Sequence, residues 1–288
     1  MRVESGDVQL AVFSSGAAAG PVVLLVHGYP DTHHVWDLVA AELAPDVRVV
    51  SYDVRGAGES GAPAGLTGYH LDRLADDLFA VAAAVSPDRP VHVVGHDWGS
   101  VQAWHAVTGP RAAGRIASFT SISGPCLDHT AHWYRQRLAS PSPAHLAEVA
   151  RQWLKSWYVT AFQLPWAAPA AWRHGLARRW GALLARGDGV VTRPGFPAAT
   201  LADDAVRGLG LYRANIRQRM RHPERRIAQV PVQLIVLKRD RYLSPSLVSA
   251  DLDQWVPELT RRALDASHWA ALTRDAPVVA DWIRGFTR

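Results

Sequence analysis

One cysteine, Cys126, stands in 288 residues, so no disulfide can form within the chain. The fold must hold by its core, and the count suits a reducing compartment. Cys126 itself reads as a small buried apolar side chain. Long apolar runs are also missing: no stretch approaches the roughly 20 residues of a bilayer-spanning helix. The start, Met1-Arg2-Val3-Glu4-Ser5-Gly6-Asp7, lacks the apolar segment of a secretory signal. A cytoplasmic protein is the expectation. Neither zinc-ligand spacing nor a basic stripe interleaved with base-stacking aromatics is present, so neither a metal nor a nucleic-acid partner is expected. No internal repeat is visible beyond a bias to alanine and arginine. What remains is 48% hydrophobic and 20% charged, enough to bury a sizeable core in one large domain or one domain with an insertion. The net charge of +5 comes mostly from arginine, much of it between Arg135 and Arg226. A solvated arginine face is the default, and an anionic substrate, an acidic partner or a membrane surface are the functional alternatives.

Short β-branched runs recur at Val8–Phe13, Val22–Val26, Val47–Tyr52, Val91–Gly95, Ile116–Ile122 and Val232–Leu237, with a weak one near Thr260–Leu264. Most are almost continuously apolar, as strands covered on both faces must be. Between them lie helical patterns such as Leu71–Ala84 and Ser100–Val107. Strand alternating with helix predicts an α/β fold with a mostly parallel, doubly wound sheet. The rhythm breaks between Pro125 and Pro231, where prolines and helical stretches occur without a convincing strand. We therefore expect a core of residues 1–125 and 230–288 and an inserted helical cap over 126–229. The insertion holds six of the twelve tryptophans (Trp133, Trp153, Trp157, Trp166, Trp172 and Trp180), which should bury against the core or an apolar ligand. The stretch from Ala161 to Trp172, followed by Arg173, Arg178 and Arg179, leaves a peripheral membrane contact through the cap open.

The strongest chemical signal is Gly95-His96-Asp97-Trp98-Gly99, between an apolar strand and a helical pattern. This is the spacing of a nucleophile elbow, in which small residues permit a tight turn and the middle side chain is held at the helix N-terminus. Aspartate in that place attacks carbon and forms an ester, unlike a serine attacking a carbonyl. As a mere helix cap, Asp97 would need no partners. Partners do follow in the required chain order: Asp240 just beyond the strand Val232–Leu237, then His268 in the loop after the last strand. Asp251 and Asp253 are poorer rivals, lying farther from the strand end. The loop His27-Gly28-Tyr29-Pro30 can supply the Tyr29 N–H, which with the Trp98 N–H would make an oxyanion hole. Asp53-Val54-Arg55-Gly56-Ala57-Gly58-Glu59-Ser60 reads as a tight structural loop, with the wrong spacing for a dinucleotide.

Taken together, these stretches resemble the α/β-hydrolase epoxide hydrolases. The resemblance rests on HGYP at 27–30, DVRGAGES at 53–60, GHDWG at 95–99, the acid in KRDRYLSP at 238–245 and SHW at 267–269. It implies the α/β-hydrolase fold with a cap, and two cap tyrosines that hold the epoxide oxygen. Tyr158, four residues before Phe162-Gln163-Leu164-Pro165, and Tyr212, in the Tyr212-Arg213 pair, match those positions. Weaker substrate contacts are expected from His27, Pro30, Trp157, Phe162 and Trp269. The segments Ile116–Pro125 and VPVQLIV at 230–236 look especially like the hydrolase half of bacterial proteins that fuse an epoxide hydrolase to a short-chain dehydrogenase. The implied substrate is a small apolar epoxide, with no cofactor and no metal, in a monomer or homodimer. Two other readings stay open: a haloalkane dehalogenase or another hydrolase with an aspartate nucleophile, and a ligand-binding receptor that keeps the pocket without turnover. A dehalogenase should carry a halide-binding Asn or Trp where this chain has Tyr29, and a fluoroacetate dehalogenase an arginine in place of Trp98.

Overall fold

A computed structural model of the chain describes residues 1–287. Among these residues eight strands form one sheet in the order β1-β2-β4-β3-β5-β6-β7-β8. They are β1 Arg2–Ser5, β2 Val8–Gly16, β3 Val22–Val26, β4 Arg48–Tyr52, β5 Val91–His96, β6 Ile116–Ile122, β7 Val232–Leu237 and β8 Leu259–Leu264. Strands β1, β2 and β4 pair antiparallel, and every pairing from β4 through β3, β5, β6 and β7 to β8 is parallel. All residues of β3 and β7 are buried, which explains the unbroken apolar sequence of β3 and that of β7, interrupted by Gln233 alone. Strand β8 is weaker in sequence because it is an edge, where Arg261 and Arg262 are exposed. The first strand escapes the sequence reading, since only Val3 and Ser5 of its four residues face inward.

Helices α1 Asp37–Leu43, α2 Leu71–Val85 and α3 Trp98–Val107 connect the first strands. Between β6 and β7 come α4 Leu127–Ala139, α5 Pro143–Lys155, α6 Trp157–Phe162, α7 Ala167–Ala171, α8 Ala177–Asp188 and α9 Leu201–Arg221. A π-helical turn at Trp172–Leu176 joins α7 to α8. Helices α10 Pro245–Ser249 and α11 Ala276–Phe286 complete the chain. Two buried apolar clusters, one on each side of the sheet, include most of the apolar strand residues. Among the described residues no helix is long and apolar enough to cross a membrane.

The chain passes from β3 outward to β4 and then returns to place β5 on the other side of β3. Connections leaving in opposite directions open a crevice at the carboxyl ends of β3 and β5, where such sheets bind ligands. Asp97 follows β5 directly into this crevice.

Candidate active site

Because α3 starts immediately after β5, Asp97 caps that helix at φ 53° and ψ −126°. A residue with a Cβ seldom adopts positive φ, so the turn must be held by its surroundings. The Asp97 N–H donates to the Ile122 carbonyl at 3.1 Å, and the Asp97 carbonyl accepts from Ser100 and Val101 at 2.9 and 3.0 Å. Two glycines let the neighbouring chains close in. A Cβ on Gly99 would lie 1.9 Å from the Val26 carbonyl oxygen, and one on Gly28 would lie 2.4 Å from the Asp97 side chain.

Packed this way, the Asp97 carboxylate meets fixed donors. Its Oδ1 accepts the Tyr29 N–H at 2.7 Å. Burial pushes the carboxyl up in pKa, opposed by the charge of His268 and by the N–H groups of Tyr29 and Trp98. The side chain is 16% exposed, shielded by its neighbours but still reachable.

Asp240, three residues beyond the end of β7, is held by four donors. Oδ1 accepts the N–H groups of Tyr242 at 2.7 Å and Leu243 at 3.1 Å, while Oδ2 accepts from His268 Nδ1 at 3.1 Å and from the Ser123 hydroxyl. Burial raises this carboxyl, but the charge of His268 and these hydrogen bonds outweigh it and leave Asp240 below its ordinary range. Its rivals are engaged elsewhere, Asp251 with Arg137 at 2.9 Å and Asp253 with Arg261 at 2.6 Å.

His268 is held through its main chain and through one ring nitrogen. The main-chain carbonyl of His268 accepts from His96 Nε2 at 3.1 Å, and Nδ1 faces Asp240. Nε2 lies 3.7 Å from Asp97 Oδ2, too far for a direct hydrogen bond. Burial lowers the imidazole's pKa, yet the charge and hydrogen bond of Asp240 and the charge of Asp97 together push it up to about 9. The two carboxyl groups on either side of the ring thus favour its protonated form.

Opposite the elbow stand Tyr158 on α6 and Tyr212 on α9, with ring centroids 6.1 Å apart. Tyr212 meets Trp98 at 4.8 Å and Tyr29 at 5.3 Å, and Phe162 closes the wall 5.0 Å from Tyr212. Burial, with the nearby Asp97 charge among the lesser causes, holds both phenols well above their ordinary range, so they stay protonated. Arg213 sets the spacing of the two helices: its guanidinium donates to the carbonyls of Phe162 and Leu164 at 2.9 and 2.8 Å, tying the end of α6 to α9.

The structure thus brings together Asp97, Asp240, His268, Tyr29, Trp98, Tyr158, Tyr212 and Phe162. Four expectations need correction. Trp157 is 69% exposed, because the single-residue step that turns Tyr158 inward leaves its neighbour at the surface. Trp153 and Trp166 are exposed too, so only Trp133, Trp172 and, in part, Trp180 of the six inserted tryptophans bury their rings. His27 has no nitrogen free for a substrate, since Nδ1 meets the Gly28 carbonyl and Nε2 accepts the Val54 N–H, each at 2.8 Å. Trp269 also acts from behind: it packs on His268, and its indole N–H donates to Asp31 Oδ2 at 2.9 Å. Pro30, with Tyr29, Trp98 and Leu211, lines a cavity of about 20 Å³ beside the elbow.

Sequence reasoning did not find Ser123, whose Oγ lies 2.9 Å from His268 Nδ1 while its hydroxyl donates to Asp240. Its place one residue past the end of β6, on the same sheet edge as Asp97, was the available signal. Tyr242, edge-on to both Tyr158 and His268, was likewise unassigned.

Elbow, sheet order and following acid and histidine together define a class: the chain belongs to the α/β-hydrolase fold family, whose model matches residues 21–275. Among curated proteins it is similar to the "Probable oxidoreductase EphD" of Mycobacterium tuberculosis, 38% identical over 284 residues, covering 96% of this chain and 48% of that protein. It is also similar to "Epoxide hydrolase A" of the same organism, 36% identical over 126 residues, 43% of this chain and 38% of that one. The chain spans about half the length of the first of these relatives. Among solved structures, an epoxide hydrolase from Bacillus megaterium in complex with an inhibitor superposes with a TM-score of 0.81 at 21% identity, covering 100% of both chains. An epoxide hydrolase from Vigna radiata gives 0.76 at 20% identity, over 99% of this chain and 96% of that one. At such identities these structures speak for the fold.

Proposed function

We propose that the chain hydrolyses an apolar epoxide to a vicinal diol through an ester on Asp97, with residues 126–229 as the cap over the core of 1–125 and 230–288. The observation that carries this reading is a carboxylate at the elbow, facing two phenols that burial keeps protonated. A nucleophile that attacks carbon needs an acid for the oxygen that leaves, and the two tyrosines supply it.

In the first step an Asp97 carboxylate oxygen displaces an oxirane carbon–oxygen bond while Tyr158 and Tyr212 hydrogen-bond the ring oxygen and protonate it as it becomes an alkoxide. Asp97 thereby loses its charge, and His268, left with one counter-charge in place of two, becomes more acidic. The proton it sheds is the one the new hydroxyl group requires overall. Neutral His268 then takes a proton from water, which attacks the ester carbonyl, and Asp240 steadies the imidazolium that forms. Negative charge on the carbonyl oxygen meets the N–H groups of Tyr29 and Trp98, and its collapse breaks the bond to the substrate oxygen, which takes the proton still carried by the added hydroxyl, so that the diol leaves and Asp97 returns as a carboxylate. Every step uses side chains, main-chain N–H groups and water. The aromatic wall of Tyr29, Trp98, Phe162 and Tyr212 favours an apolar substituent on the epoxide. The half-length match to a relative named as an oxidoreductase supports reading this chain as comparable to the hydrolase half of a fused protein.

A single turnover of excess enzyme on styrene oxide in heavy-oxygen water tests the assignment. The first diol should carry ordinary oxygen while the Asp97 peptide gains the label. Label in the diol instead means direct attack by water, and the nucleophile is then wrong.

A further inference from the structure

Three of the chain's tryptophans stand in solvent, and all fall within one stretch: Trp153 at 70%, Trp157 at 69% and Trp166 at 84% exposure. They do not stand alone. Leu146, Ala150, Trp153, Leu154 and Trp157 are all exposed and are spaced by three and four residues, the spacing of one helical face, so the outer side of α5 carries an apolar stripe into the start of α6. Exposed Leu164 and Trp166 extend it towards α7. Single exposed apolar residues are ordinary, but a contiguous run of large ones marks a contact surface.

The charge of the inserted segment that carries the stripe indicates what would cover it. Residues 143–187 contain Arg151, Lys155, Arg173, Arg178, Arg179 and Arg186 against Glu148 alone, six cations minus one anion, which equals the +5 of the whole chain. Glu148 is taken by Arg137 at 2.6 Å, and Lys155 by the Asp240 carbonyl. Among the described residues the five arginines of this segment are exposed and form no ion pair with an acid. We propose that this face docks on an anionic phospholipid bilayer, with Trp153, Leu154, Trp157 and Trp166 entering the headgroup layer and the arginines meeting lipid phosphates. Indole rings favour that layer, and guanidinium groups pair with phosphate oxygens. A second copy is a poorer occupant, because a two-fold contact would set the same unpaired arginines against each other.

The position has a consequence for the pocket that rests on the proposed function. Helix α6 is short enough that Trp157 at the surface and Tyr158 beside Tyr212 are consecutive residues. An epoxide dissolved in the membrane would therefore leave the lipid next to the residue that receives its oxygen.

The test is co-sedimentation of the full chain with vesicles of pure phosphatidylcholine and of phosphatidylcholine with 30% phosphatidylglycerol (about a third anionic lipid, enough for the surface attraction invoked). Binding at least tenfold stronger to the anionic vesicles, weakened by salt and accompanied by a blue shift of tryptophan emission, is the expected result. Combined Trp153→Ser, Leu154→Ser and Trp166→Ser substitutions should abolish that binding while leaving the thermal midpoint unchanged. Combined Arg173→Gln, Arg178→Gln and Arg179→Gln substitutions should remove the preference for anionic lipid. No binding, or equal binding to both vesicles, overturns the proposal. So does a concentration-dependent dimer that the serine variant dissolves, which would make the face a contact between copies. Vesicle binding is read without any substrate, so a failure of the epoxide reading leaves this outcome independent. If both hold, the serine variant keeps its rate on a water-soluble epoxide and loses it on one carried in vesicles.

Discussion

Replacing Asp240 with Asn should separate the two chemical steps, and the structure sets the size of the effect. Burial alone would hold His268 below its ordinary 6.5, yet its pKa is pushed up to about 9. The charges of Asp240, Asp97 and, to a lesser degree, Asp188 therefore raise it by more than about 2.5 pH units, on the order of 3 kcal/mol. Asp240 contributes first, through both charge and the 3.1 Å hydrogen bond. On the proposed mechanism Asp97 is neutral in the ester state, and Asp240 is the carboxylate hydrogen-bonded to the imidazolium. Its loss should slow ester hydrolysis by on the order of 100-fold or more, while Asp97 attack, which needs no base, changes little. Rapid quench followed by intact-mass spectrometry should then show the Asp240→Asn protein carrying one substrate mass, with diol release lagging far behind. In the same variant, the His268 ring followed by NMR should titrate well below 9. An equal slowing of both steps without accumulated ester, or a His268 that still titrates near 9, would refute the reasoning.

Gly99→Ala should fail to fold or lose several kcal/mol, because its Cβ would come within 1.9 Å of the Val26 carbonyl and one of the two chains must shift; urea denaturation gives the value, and a midpoint like that of the parent protein would mean the elbow is looser than described. Asp31→Asn should stabilise the protein increasingly as pH rises. The Asp31 carboxyl is buried, and burial pushes it from 3.8 up to about 7 despite the hydrogen bond from Trp269. A folded pKa above the unfolded one means stability is lost as pH rises from about 4 through about 7, so parent and variant should differ little near pH 4 and by about 2–4 kcal/mol at pH 8. Urea midpoints measured across that range check it, and a difference independent of pH counts against a carboxyl titrating there.

Most of the sheet was legible because parallel strands buried on both faces write themselves as nearly continuous apolar runs, as in Val22–Val26 and, with Gln233 as its one polar residue, Val232–Leu237. The elbow was legible because its glycines stand next to the residue they serve. Contacts closed across long stretches of sequence were harder to read. Ser123 lies 117 residues from Asp240 and 145 from His268, and its place just past the end of β6 is all that sets it apart locally from the serines at 118 and 121. Trp157, expected among the substrate contacts, lies at the surface because consecutive residues on a helix point about 100° apart and its neighbour Tyr158 takes the inward direction. Composition likewise showed that the insertion is rich in tryptophan without showing that half of those rings face outward.

The positive φ at Asp97 belongs to the main chain, and so do the constraints that maintain it. The Ile122 carbonyl, the N–H groups of Ser100 and Val101 and the clearance at Gly99 and Gly28 would hold any modest side chain at that point in the same exposed attitude. The turn is thus a socket and the aspartate an interchangeable fitting. A lineage could exchange one kind of bond cleavage for another by a single codon change at position 97, then adjust the inserted helices to the new substrate, without disturbing the sheet beneath. A scaffold divided in this way separates what must be inherited unchanged from what is free to diversify.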